Sequence, residues 1–254
     1  MAVDDPVVAR AKIRDDFMRR LFAVAISVGV GFAMSRMEWV RLGQAPLPDE
    51  WKQILILLTA LIATVSSWDG YLMSIQSKPL NGTSRFAIDI LLVLIYLFML
   101  LTSSHSNFFL PILCAIFILY TVWDFLTVRE HYGKYRLDDT TPRKAFISEA
   151  LYVYAGGILG DKNVSKGPII TMCWTLFILG MTAITRMTPL YNTYAACILT
   201  MAGLLLYRKD KMTTGGWHDR GFSMGIRLIL IAALLAGAAA TPLAIRAFEC
   251  AFQS

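Results

Sequence analysis

The chain is poor in the residues from which catalytic and metal centres are built. Histidine occurs only as His105, His131 and His218, and cysteine as Cys114, Cys173, Cys197 and Cys250, with no CxxC pair and no His and Cys at ligand spacing. No metal site is expected from that inventory. No serine within an apolar stretch has an evident histidine partner, so a Ser-His nucleophile has no candidate, and neither a catalytic residue nor a cofactor is assigned. The cysteines read as small packing residues. Charge is also scarce, at 17% of the chain. Low-complexity tracts and long charge blocks are missing, and no connection is long enough for a separate soluble domain, so residues 1–254 read as one membrane domain.

What the chain has instead is apolar length. Seven stretches, at 21–37, 54–74, 86–101, 108–127, 169–184, 190–207 and 222–244, carry almost uninterrupted apolar residues. Hydrocarbon about 30 Å thick requires roughly 20 such residues per helix, with every backbone polar group satisfied inside it. Helices apolar all round leave no face for water. The expected fold is therefore all-α, a polytopic membrane protein with seven transmembrane helices.

The 24 lysines and arginines set an orientation, because cytoplasmic connections retain positive charge. Arg10, Lys12, Arg14, Arg19 and Arg20 precede the first stretch, and Lys78 and Arg85 follow the second. The connection at 128–167 holds Arg129 through Lys166, and Arg208, Lys209, Lys211 and Arg220 follow the sixth stretch. The opposite side holds only Arg36, Arg41, Lys52, Arg186 and Arg246. The N-terminus is accordingly expected inside and the C-terminus outside, in a cell membrane of the bacterial inner type. The anionic inner leaflet is the natural partner of a +6 chain built this way, and nucleic acid is not.

Residues 144–159 are apolar but short and carry Glu149. Crossing there would move Arg208 and Arg220 to the outside, against the charge pattern. The segment is expected instead to lie on the cytoplasmic surface as an amphipathic helix over about 142–156, started by Pro142, with Phe146, Ala150, Leu151 and Tyr154 on one side.

This topology gathers ionisable residues at the inner ends of several spans. Ser67-Trp68-Asp69-Gly70 closes the second stretch and Val122-Trp123-Asp124 the fourth, while Arg85 and Asp89 stand four apart at the start of the third. Arg227 lies one to two turns into the seventh. Asp69, Asp89, Asp124, Arg85 and Arg227 thus form one predicted layer. Buried ionisable groups of this kind mark ion or proton paths, whereas near the headgroups they simply touch water beside belt tryptophans. In the seventh stretch Ala233 and Gly237 form a small-xxx-small face, suited to packing within the bundle or to joining subunits of a homo-oligomer or a larger membrane complex.

Two short motifs are partial only. Asp69-Gly70 through Gly82 to Asp89 departs from the CDP-alcohol phosphotransferase pattern, since its Ala-Arg is missing and Val93 stands where a further Asp belongs. Asp69-Gly70 shares two residues with the Phe-Ser-Asp-Gly helix of a potassium-channel family and nothing more. Three classes of function remain: a cation or proton channel or transporter, a non-catalytic anchor, sensor or effector that docks a soluble partner through its 128–167 connection, and an intramembrane lipid-modifying enzyme.

Overall fold

The computed structural model describes residues 6–37, 43, 48–77, 82–103, 105–131, 146–159, 166–187, 193–212 and 222–252, and among them every regular element is a helix. In chain order these are α1 (Pro6–Ser35), α2 (Pro48–Ser77), α3 (Thr83–Leu101), α4 (Ser106–His131), α5 (Phe146–Leu159), α6 (Gly167–Met187), α7 (Thr193–Met212) and α8 (Met224–Phe252). Six of the eight are long and apolar enough to cross a membrane, namely α1, α2, α3, α4, α6 and α8. The chain is a multi-pass membrane protein.

The logic of the bundle is clearest in α3. Its buried residues Arg85, Asp89, Leu92, Tyr96 and Met99 recur at helical spacing and so occupy one face, while Leu91, Leu94 and Phe98 stand exposed on the other. A helix that is apolar on its outward face is solvated by lipid. At 19 residues it is about 28 Å long by the α-helical rise. It starts after Gly82, whose backbone N–H donates to Oε1 of Glu130 at 2.6 Å, placing a carboxylate at the positive end of the helix dipole. Its C-terminal turn is closed by Thr102, whose hydroxyl donates to the Phe98 carbonyl at 2.8 Å.

Around α3 the helices pack in pairs. It lies against α1 and α4, α4 lies against α6, α6 carries α7 and α8, and α7 packs along α2. The core runs through these seams, from Met18 and Phe22 of α1 to Val93 and Leu100 of α3, Leu113 and Phe117 of α4, and Trp174 and Phe177 of α6. Outward-facing Val24, Val28, Leu94, Ile118, Leu176 and Ile229 give the exterior its apolar character.

The structure changes several expected boundaries. α1 begins at Pro6, well before residue 21, because Asp15–Arg19 and Asp16–Arg20 pair one turn apart and keep the basic arm helical. α8 continues through Pro242 to Phe252. α7, the sixth predicted span, is a helix but falls outside the six apolar ones, because it runs on from Tyr207 through Arg208, Lys209, Asp210 and Lys211.

α5 is also turned differently from expectation. Ile147, Leu151 and Ile158 form its exposed stripe, while Glu149 is buried and meets Nε of Arg129 at 3.1 Å. Tyr154, expected beside Leu151, instead points inward and donates to the Thr121 carbonyl at 2.9 Å. Burial holds its phenol above the usual tyrosine range. The polar groups of α5 thus find partners in α4, and its apolar stripe faces away from the protein. The expected start of this helix at Pro142 lies outside the described residues. Ala233 and Gly237 both lie on an exposed part of α8, where a side chain at Gly237 would touch Leu199 of α7 at 3.8 Å.

Candidate functional site: a one-ended polar cavity

A cavity of about 180 Å³ lies where the α2–α7 pair faces α3 and α4. Each helix contributes a stripe at helical spacing: Ser67, Gly70 and Ser74 from α2, Asp89, Leu92 and Tyr96 from α3, Phe117, Tyr120 and Asp124 from α4, and Leu204, Tyr207 and Lys211 from α7. Phe22 of α1, Lys166 and Gly167, the first residue of α6, also line it. The charged residues gather at one end, and the opposite end is formed by Ala63, Tyr96, Phe117 and Leu204. Beyond it, Thr59, Ala60, Leu113 and Ile116 are packed to zero or near-zero exposure.

Each carboxylate in this region has a different environment. Asp124 is 8% exposed and accepts from Nζ of Lys211 at 2.5 Å and from the Thr171 hydroxyl, which also lies 3.4 Å from the Tyr207 hydroxyl. Asp69, half-exposed at the rim, pairs with Nη2 of Arg208, which also approaches Sδ of Met73 at 3.2 Å. Asp89 is buried, and its Oδ2 makes no hydrogen bond of good geometry, the indole N–H of Trp123 being the donor turned toward the carboxylate. Arg85, one turn earlier on α3 and fully buried, lays its guanidinium over the Trp123 ring at 4.7 Å and reaches Oγ of Ser74 at 3.5 Å.

The remaining wall is aromatic and hydroxylic. Phe117 stands 5.1 Å from the Tyr207 ring, Tyr120 6.4 Å from Trp123, and Tyr120 shares a hydrogen bond with Ser67. Such residues offer an apolar surface with polar tips, suited to a small partly apolar molecule. Among the described residues no three His, Cys, Asp or Glu side chains converge as metal ligands.

Of the predicted layer, the cavity wall brings together Asp89 and Asp124, Arg85 lies behind it against Trp123, and Asp69 marks the rim through Arg208. Arg227 is elsewhere. It forms a second buried site, in which Asp210, fully buried, accepts from Nε of Arg227 at 2.6 Å, from Nη2 at 3.1 Å, from Nε1 of Trp174 at 3.0 Å and from the Phe222 backbone N–H at 2.8 Å. That constellation joins α6, α7 and α8.

Sequence reasoning missed Arg208, Lys211 and Asp210 as site residues because all three read as one hydrophilic connection. The available signal was spacing. Leu204, Arg208 and Lys211 repeat at i, i+4 and i+7 and so continue the inward face of α7 beyond its apolar stretch. Comparison with known proteins returns no similarity: no family model, no curated protein and no solved structure matches the chain.

Proposed function

We propose that this protein is a proton-coupled membrane transporter, with the polar cavity as its substrate site and Asp89 as the group that takes up and releases the proton or cation. The observation that carries this reading is the unpartnered oxygen of a buried carboxylate on the wall of a cavity closed at one end. An ionised carboxylate in a membrane interior without full compensation costs several kcal/mol, and it is relieved by a proton, a cation or a bound ligand. A cavity with a packed far end suits alternating access better than an open channel.

The topology proposed with it has α7 as a seventh span, the N-terminus inside, and α5 lying in the inner surface of the membrane with Ile147, Leu151 and Ile158 in the lipid. α7 packs against α2, α6 and α8, all apolar enough to cross, and this supports it as a span. The exposed apolar stripe of α5 supports its place at the surface. On this orientation the charged end of the cavity opens to the inside.

The experiment is reconstitution of the purified chain into liposomes containing a pH-sensitive dye. With small organic solutes supplied on one side, an imposed proton gradient should move protons in the wild type, and Asp89→Asn should abolish that movement while the protein still folds and reconstitutes. Equal flux through Asp89→Asn would end the proposal.

A further inference from the structure

Two polar atoms in the cavity region, the hydroxyl of Tyr71 and Nε of Arg208, are buried and unpartnered, whereas Nε1 of Trp123 is turned toward the Asp89 carboxylate. The guanidinium nitrogen is a donor only, and the phenol donates or accepts. Buried donors without acceptors are costly enough that each calls for a ligand or water. Lys166, Arg208 and Lys211 line the cavity with Asp89 and Asp124, and Asp69 at the rim balances the third cation.

The arrangement around Arg208 is particular. Its Nη1 lies 3.0 Å from where a side chain at residue 70 would begin, so glycine there lets the guanidinium rest against α2 and a larger residue would shift it slightly. Its counterion Asp69 is 53% exposed, and release of that carboxylate into water costs little. An incoming carboxylate or phosphate oxygen can therefore replace Asp69 on Arg208 without stranding a buried charge. Behind the guanidinium, Tyr71, Tyr120 and Tyr207 form an aromatic wall. A volume near 180 Å³ compares with the roughly 150 Å³ engineered cavity that accommodates benzene.

From these observations we infer that the cavity binds a small organic anion, a carboxylate or phosphate head on an apolar body about the size of one aromatic ring, with Arg208 receiving the head and Asp69 acting as its internal competitor. This rests on reading the cavity as the substrate site, and it names the class of substrate. Asp89 on the same wall supplies the place for a proton to accompany the anion's charge.

The test is equilibrium binding to the full-length chain in detergent, read by tryptophan fluorescence and by the thermal-unfolding midpoint, with no gradient imposed. The probes are benzoate, benzylamine as a cation of equal size, inorganic phosphate, and phosphatidylglycerol in mixed micelles. Benzoate should bind and raise the midpoint, and benzylamine should not. Arg208→Gln should weaken benzoate at least about tenfold, as loss of a charged partner does. Gly70→Ala should weaken it less. Asp69→Asn should tighten it, an outcome a merely structural Arg208–Asp69 bridge does not produce, and one that remains readable if Arg208→Gln fails to fold. Preference for benzylamine, or weaker benzoate binding in Asp69→Asn, overturns the inference. Phosphate binding as well as benzoate overturns the apolar body, and stabilisation by phosphatidylglycerol alone makes the site a lipid-headgroup site. Because binding is read without flux, loss of proton movement in the liposome assay and loss of benzoate binding are separate failures.

Discussion

Asp210 and Asp89 are both buried carboxylates close to an arginine, and their surroundings make them opposites. Asp210 receives four hydrogen bonds from Arg227, Trp174 and Phe222, so its oxygens are saturated. Asp89 lies on a cavity wall with one oxygen unpaired. In a bilayer the first arrangement is a fastener, since every charge has a permanent answer in the protein. On the reading proposed above, the second leaves a place for a proton or ligand. Proximity to an arginine is common to the two acids, and the completeness of the hydrogen-bond set is what differs between them.

The sharpest way to break this comparison is to remove the saturated acid. Asp210→Ala leaves the Arg227 guanidinium buried and uncompensated, and should destabilise the protein by about 3–5 kcal/mol, seen as a large fall in the thermal-unfolding midpoint. Removing both charges as Asp210→Ala with Arg227→Met should recover part of that loss.

Asp89→Asn is the matching change at the cavity and should do less harm. It leaves Arg85 buried one turn away but also removes a carboxylate with an unpaired oxygen, so the unfolding midpoint should fall less than in Asp210→Ala while proton movement in liposomes disappears. A steep fall in the midpoint would place Asp89 with Asp210 among the fasteners.

Asp124 stands between them, since Lys211 and Thr171 answer it on a cavity wall. Asp124→Asn should cost about 1–3 kcal/mol in unfolding experiments, and a double-mutant cycle with Lys211→Met should give a smaller combined loss than the two singles summed. The smallest effect is expected at Thr64, a fully buried hydroxyl that donates to its own helix at the Ala60 carbonyl. Thr64→Val should leave transport unchanged and stability within about 0.5 kcal/mol, because that hydroxyl faces no ligand.

Much of the architecture was legible because apolar length is a one-dimensional property. The stretches at 54–74, 86–101, 108–127 and 169–184 each sit within a helix that the structure places in the bundle. Helix ends were less legible, since a basic arm such as Arg10–Arg20 reads as a connection until the Asp15–Arg19 and Asp16–Arg20 pairs are seen to keep it helical. The inner-end carboxylates were readable as residues at similar depth, but depth says nothing of azimuth. Arg227 belongs to Asp210 rather than to the cavity because the turn of α8 about its axis points it to α6 and α7, and the face a helix presents is decided by packing. The orientation of α5 was missed for a related reason, as its buried Glu149 and Tyr154 follow partners on α4 that lie far away in the chain.

Asp210 and Arg227 also bear on how the molecule is assembled. They sit on successive helices, and α8 has little else to hold it: 17% of its apolar window is buried in the bundle, against 56% for α4 and for α6. Delivered to the bilayer one at a time, each helix would bring an unanswered charge with it, whereas a hairpin of α7 and α8 enters with the two already neutralised. On the topology proposed above, in which α7 is a span, entry of α7 and α8 together as a hairpin would therefore cost less than entry one at a time.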